Sequence, residues 1–457
     1  MGREYTPPTP LPDPPLLRLA LLVVVDESTP LRRATQKVCP PLGLLYLQAY
    51  LAQHAPEVEV IVTWSVAEVV LARPDLIGLS SVTENFVMAS VLATRLHEVT
   101  GAQVLIGGAH ISLVPGSLPA ACAAGVLGEG EATLLELVRL HQAHGSLRPA
   151  ELGEVAGLIF RGEDGELHRT RPRPVIRPLD DLPFPKRPAP DTRSTTHVIT
   201  SRGCPFDCAF CSSATLTSTY RMHSAAYVLE ELTWIRDHVG PRHIKFFDDL
   251  FVANRKRVLE LSELIVASGL RFEAGMSCFA RTDLLDEELL VAMQRMGFTG
   301  LSIGIESGSE RILGKVGKRN SVERNQRVLD LCKQHGMITC CSFVIGWPGE
   351  TEEDLEDTRA FIERNRPAMH QVEICPAVPY PGTGLWTEAL KLGLVSEQMD
   401  WSILRDHSIY LDFNPDDYLY LNPAMPRERF VDWTRRFRGV YESFLHSHPN
   451  WMGKANM

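Results

Sequence analysis

Residues 19–25 form an unbroken apolar run, the pattern of a central parallel strand buried on both faces. Shorter apolar stretches follow at 58–62, 75–81, 103–108 and 124–131, and broad-faced helical patterns at 43–54, 86–100 and 132–143 fall between or after them. This alternation predicts an α/β fold that begins with a doubly wound, Rossmann-like parallel sheet over residues 16–145 and places ligands at the strand C-terminal ends. An Asp-Gly turn at 164–165 between stretches 155–160 and 166–169 predicts a β-hairpin. The Pro- and Arg-rich passage 171–193 reads as a solvated connector, so residues 146–195 are expected to be hairpin and linker.

Six further strand–helix pairs then appear. Strands are predicted at 197–201, 243–247, 272–278, 300–305, 338–345 and 371–377, and helices at 225–238, 255–268, 286–296, 322–335, 352–365 and 384–392. Thr351 and Asp283 lie just ahead of acidic first turns, and Gly240, Gly269, Gly297 and Gly336 stop helices. Six pairs predict a partial (β/α)6 TIM-like barrel over residues 196–392, open on one side. A small, mainly helical C-terminal region, 393–457, carries a helical pattern at 427–445. Trp401, Tyr410, Trp433 and Phe437 punctuate it, and its arginines are expected on a solvated face. Residues 1–15 are rich in proline, lack the order of a signal peptide and are expected to be a disordered tail.

Composition narrows the class. The 457 residues are 44% hydrophobic and 22% charged, as in ordinary globular proteins. A net charge of −10 argues against nucleic acid as the main partner. No apolar stretch approaches the ~20 residues of a membrane span. Seven of the ten cysteines (39, 122, 278, 332, 340, 341 and 375) lie mostly in apolar runs and read as buried thiols, which suits a reduced, cytoplasmic setting.

The other three carry the chemistry. Cys204, Cys208 and Cys211 stand in Cys-x-x-x-Cys-x-x-Cys spacing just after the first barrel strand, where α/β barrels keep their active sites. Thiolates are soft ligands for zinc or iron–sulfur centres. A closed zinc site needs a fourth local ligand, and His223 lies outside any usual spacing. Three thiolates can instead hold three irons of a [4Fe–4S] cube and leave the fourth iron open.

With Phe210 before the last cysteine, this loop resembles that of the radical S-adenosylmethionine (SAM) enzymes. The resemblance implies that SAM chelates the open iron and is cleaved to a 5′-deoxyadenosyl radical. It also implies SAM contacts at successive strand ends: Asp248 and Asp249, Arg281 for the carboxylate, Glu306 for the ribose, Gly346 in the Gly-x-Pro-Gly-Glu turn, and Pro379. Taken with this loop, the first domain resembles the cobalamin-binding domain of cobalamin-dependent radical SAM enzymes. The likeness rests on a Pro-Leu-Gly loop with Leu42 and Gly43, a Gly-Gly-x-His turn with Gly107, Gly108 and His110, and a Gly-Glu-Gly-Glu turn with Gly128 and Glu129. Ser81, Thr83 and Asn85 at a further strand end join the implied cobalamin contacts. The Asp-x-His-x-x-Gly motif that ligates cobalt from below is absent, and His110 is read as a hydrogen-bonding loop histidine.

The resemblance implies an enzyme with a [4Fe–4S] cluster, SAM and cobalamin, methylating an unactivated carbon of a small metabolite. An external donor such as flavodoxin or ferredoxin would supply electrons. One rival keeps both cofactors but performs cyclisation or rearrangement without net methylation. A methylthiotransferase would need a second cysteine trio upstream, which is absent. A cobalamin or redox sensor would carry an output module, and none is visible.

Overall fold

The computed structural model describes residues 17–25, 39–187, 195–217, 219–404, 413–414 and 418–447. The expected disordered tail, the end of the connector and Tyr410 lie outside the described residues.

The first sheet contains β1 (Arg18–Val23), β2 (Glu59–Thr63), β3 (Leu76–Ser80), β4 (Gln103–Gly107), β5 (Cys122–Val126), β6 (Leu158–Arg161) and β7 (Leu167–Arg169), in the order β2-β1-β3-β4-β5-β6-β7. The first five are parallel, as expected. Alternate residues of β1 serve opposite faces. Leu19 and Leu21 pack with Leu51, Leu134 and Val138, whereas Ala20 and Leu22 pack with Phe86, Ala89 and Ala93. The hairpin joins this sheet instead of standing in the linker, because β6 pairs antiparallel with β5 and buries Leu158, Ile159 and Phe160 together.

The second sheet has the order β15-β14-β13-β12-β11-β8, all parallel and open at both edges. Its strands are β8 (Thr195–Val198), β11 (His243–Phe246), β12 (Gly275–Ala280), β13 (Phe298–Glu306), β14 (Ile338–Ile345) and β15 (Gln371–Pro376). The face carrying Phe246, Cys278, Ile303 and Phe343 belongs to the packed core shared with the helices. Lys245, Ser277, Phe279, Ser302, Cys340 and Ser342 alternate with that set, face the barrel interior and are only half-buried.

Three local features depart from expectation. The first barrel strand ends at Val198 instead of continuing to 201. Ser201–Arg202 (β9) turns away to pair antiparallel with Arg221–Met222 (β10), framing the cysteine loop. Second, a short helix, Glu310–Val316, precedes the expected helix Val322–Gln334. Third, Asp286 itself caps helix Glu287–Met296 through the Leu289 amide.

The C-terminal helix, Arg427–Ser447, lies against β15 and helix Glu352–Arg364. Phe430, Trp433, Phe437, Val440 and Phe444 recur at intervals of three and four and are buried. Arg429 is not simply solvated, since it holds Glu352 through two hydrogen bonds of 2.9 and 2.7 Å. No helix among the described residues is long and apolar enough to cross a membrane.

Candidate active site

A cavity of about 680 Å³ lies between the two sheets. The first domain contributes Gly43, Gly107, Gly108, Gly128 and Glu129; the barrel contributes Ser201, Arg202, Gly203, Thr215, Phe247 and Asp249. At Gly43 and Gly128 nothing lies within 4 Å of where a Cβ would stand. Glycine at these positions leaves backbone open for a bulky, flat ligand to approach. Gly108, at φ 106°, runs against the Ser81 backbone and tolerates no side chain. A long cavity with a glycine cradle fits the corrin ring of cobalamin. Among the described residues no histidine lines it.

The structure does not bring every expected cobalamin contact to this cavity. Leu42 is packed in helix Leu42–His54 and Ser81 is buried under Gly108. Asn85 accepts from the Val82 amide and donates to the Val24 carbonyl, which closes its own turn. His110 is buried: its Nδ1 meets Thr83 Oγ1 at 3.1 Å, and its ring stacks on Phe86 and meets the edge of Trp401. Burial pushes its pKa down to about 4. Thr83 and His110 therefore support the loop from beneath.

Glu129 has a connecting role. It accepts from Arg221 at 2.6 and 3.1 Å, from Arg202 at 3.0 Å and from the Ile176 amide at 2.9 Å. Burial would raise its pKa, but these cations and donors outweigh it and hold the carboxyl below the ordinary range. Arg202 also reaches Glu131. The first domain, the linker and the cysteine loop thus share one ionic network.

The cysteine loop is pinned from two sides. The Ala209 amide donates to the Val316 carbonyl at 3.0 Å, and the Ala209 carbonyl accepts from the Leu385 amide at 2.9 Å. Cys204, Cys208 and Cys211 are half-buried free thiols. Burial pushes the Cys204 and Cys208 thiols up and the neighbouring cysteines add to this, while Arg281 and Lys318 pull Cys208 down. Among the described residues no three His, Cys, Asp or Glu side chains converge on one ion position. The fit to a cluster rests on the donors themselves: three soft thiols on one loop beside two cations that can offset an anionic centre.

Around this loop the expected SAM contacts separate into two groups. Asp249 faces the cavity. Arg281 lies beside the cluster loop, with Nη1 3.2 Å from Cys208 Sγ and the guanidinium 3.8 Å above the Phe206 ring. It is also committed to Asp283 through two bonds of 2.9 Å and to the Lys318 carbonyl. Four of its five N–H donors serve these partners, which leaves one on Nη1 uncommitted. Phe210 meets Trp347 edge-on at 6.0 Å.

The second group is already occupied. Asp248 is buried and accepts from Thr200 N and Oγ1 at 2.9 and 3.0 Å and from Ser201 Oγ, so it fixes the start of the cysteine loop. Glu306 is buried at φ 68° and paired with Lys318, which also donates to the Gly304 carbonyl at 2.7 Å. A Cβ at Gly304 would push this pair aside. Gly346 sits beneath Phe430 and Tyr418 of the C-terminal region. Pro379 is buried in a turn that Thr215 Oγ1 ties to the cysteine loop through the Gly382 carbonyl, at 2.7 Å.

Lys318, Arg202 and Arg221 were not singled out from sequence, and Asp283 was read only as a residue ahead of an acidic first turn. No short motif marks Lys318, Arg202 or Arg221, and each acquires its role only through a partner distant in the chain.

Comparison with known proteins agrees with this architecture. The chain matches the B12 binding domain over residues 29–138 and the Radical SAM superfamily over residues 198–362. It is 32% identical over 446 residues to an uncharacterised methyltransferase of Pyrococcus horikoshii, covering 93% of this chain and 92% of the relative. It is 28% identical to the anaerobic magnesium-protoporphyrin IX monomethyl ester cyclase of Rubrivivax gelatinosus, over 69% of this chain and 58% of that one. Its fold is similar to that of the radical SAM methyltransferase TsrM from Kitasatospora setae, with a TM-score of 0.66 at 20% identity, covering 85% of this chain and 80% of that one. With a cobalamin-type domain, a cysteine loop on an open barrel and a full-length relative of this kind, the chain belongs to the cobalamin-dependent radical SAM enzymes, whose cofactors are a [4Fe–4S] cluster, SAM and cobalamin.

Proposed function

We propose that this enzyme methylates an unactivated carbon of a small molecule held between the cysteine loop and the glycine turns of the first sheet. The observation that supports this most is that residues 201–203 and 215–217, which flank the three cysteines, line one cavity with the glycine turns. When bound, the cluster and cobalamin would supply the electron that splits SAM and the methyl group that is transferred. Cys204, Cys208 and Cys211 would hold the cluster, and Gly43, Gly107, Gly108 and Gly128 would offer backbone to the corrin.

Asp249 is placed to accept from the SAM ammonium, and the uncommitted N–H of Arg281 to donate to its carboxylate. Asp248 and the Glu306–Lys318 pair hold the walls of this site in position. The ionic network on Glu129 keeps the two halves together, so that the reacting groups stay close. We place the protein in the reduced cytoplasm, with an external one-electron donor such as flavodoxin or ferredoxin.

The test is anaerobic incubation of the reconstituted enzyme with a metabolite extract, reductant and methyl-deuterated SAM. Labelled methyl in a product together with 5′-deoxyadenosine supports methylation. The cyclase relative favours a second reading, and 5′-deoxyadenosine with an unlabelled, isomerised or dehydrogenated product would select it.

A further inference from the structure

The barrel interior holds a cation that the account so far does not use. Lys245 stands in β11, in register with His197 of β8 and Ser277 of β12. Among the described residues no carboxylate pairs with its ammonium. Its neighbours are two aromatic faces, with Nζ 5.1 Å from the Phe279 ring centre and 5.9 Å from that of Phe247. Phe247 meets Phe279 edge-on at 5.6 Å and His197 at 5.2 Å.

Phe247 is 44% exposed and lines the cavity between the domains. Lys245 lies two residues earlier on the same face, about 7 Å deeper along the strand. An exposed ring on the cavity wall with an ammonium beside it places an apolar face and a positive charge next to each other at the mouth of the barrel. The side-chain hydroxyls of Ser277, Ser302 and Ser342 on the interior face make no hydrogen bond to another described residue. His197 adds no second cation, because burial and the nearby Lys245 push its pKa down to about 4.

We propose that Lys245 is a specificity-determining residue that binds an anionic group of the substrate, a carboxylate or a phosphate, while Phe247 and Phe279 flank the substrate's apolar body. This rests on the methyltransferase reading of the same site. A substrate anchored at depth by its anion would leave its far carbon beside Phe247, at the cavity that the glycine turns line. The ammonium needs no other partner in the resting enzyme, because ring faces partly offset its charge.

The test uses cluster- and cobalamin-loaded protein, and benzoate, phenyl phosphate and neutral benzamide as probes, with binding followed by equilibrium dialysis. At least one anionic probe should bind more tightly than benzamide. Whichever anion is preferred identifies a carboxylate or a phosphate as the natural group. Lys245→Gln should weaken that anion by roughly tenfold or more, leaving benzamide unchanged, and Lys245→Arg should restore much of the loss. Anion binding that is undetectable, or equal in wild type and Lys245→Gln, overturns the proposal.

SAM affinity is measured on the same samples. If it falls in Lys245→Gln alongside the anion, Lys245 serves SAM and the proposal is overturned. Iron and cobalamin contents of the wild-type sample are measured first. A chain that takes up neither refutes the methyltransferase reading independently of how the probes bind.

Discussion

Arg221 holds Glu129 through two hydrogen bonds, Nη2 to Oε1 at 2.6 Å and Nη1 to Oε2 at 3.1 Å. One residue belongs to the Gly-Glu-Gly-Glu turn of the first sheet and the other to the ribbon that frames the cysteine loop. Their contact ties the two domains together at the edge of the cavity, which Glu129 lines. Glu129→Ala would leave Arg221 and Arg202 without their shared carboxylate. Breaking such a buried pair costs about 3–5 kcal/mol. The expected outcome is a lower midpoint in thermal unfolding together with reduced cobalamin retention on gel filtration, at unchanged iron content.

Removing Cys208 tests the cluster. Protein purified without oxygen should hold about four irons per chain, and Cys208→Ala should lose both iron and 5′-deoxyadenosine formation. A Cys208→Ala variant that still cleaves SAM would remove the cysteine loop from the account.

Arg281→Lys keeps a cation near Cys208 but loses the planar fork. SAM affinity should fall by about 1.5–3 kcal/mol, read by equilibrium dialysis, with iron content intact. Equal SAM affinity in the two proteins would mean that Arg281 serves only Asp283 and the loop.

How far the sequence carried this picture depended on the range of each signal. The apolar run at 19–25 and the six strand–helix pairs were legible because periodicity is local and burial on two faces is strong. The cysteine trio was legible because its ligands share one loop. The settings of Asp248 and Glu306 were not legible, for a different reason. Both stand at the expected strand ends, but whether a carboxylate is free for a ligand depends on partners such as Thr200 and Lys318, which folding brings in from elsewhere. The helix Glu310–Val316 was missed because two turns show too little periodicity, and Lys318 follows it. The hairpin read as linker joined the sheet because strand partners cannot be read from one strand's pattern.

Four buried histidines give a pH prediction. Burial pushes His110, His197, His223 and His243 each down to about 4 from an ordinary 6.5. Between these values the unfolded chain binds protons that the folded chain refuses, so stability is full above pH 6.5 and declines as pH falls toward 4. Urea midpoints measured from pH 7 to pH 4 should fall steadily. In His110→Gln, whatever its overall stability, the slope over this window should be shallower. An identical slope would show that His110 does not titrate as burial requires.

Cobalamin is expected to bind in the cavity between the two sheets with no protein imidazole on cobalt. Electron paramagnetic resonance of the Co(II) form of the bound cofactor tests it most directly, since a nitrogen below cobalt splits the signal. Uptake by cluster-loaded protein should be stoichiometric and the spectrum free of nitrogen splitting, since among the described residues no histidine lines the cavity. Clear nitrogen splitting would contradict the assigned geometry, and absence of uptake by protein with an intact cluster would contradict the methyltransferase itself.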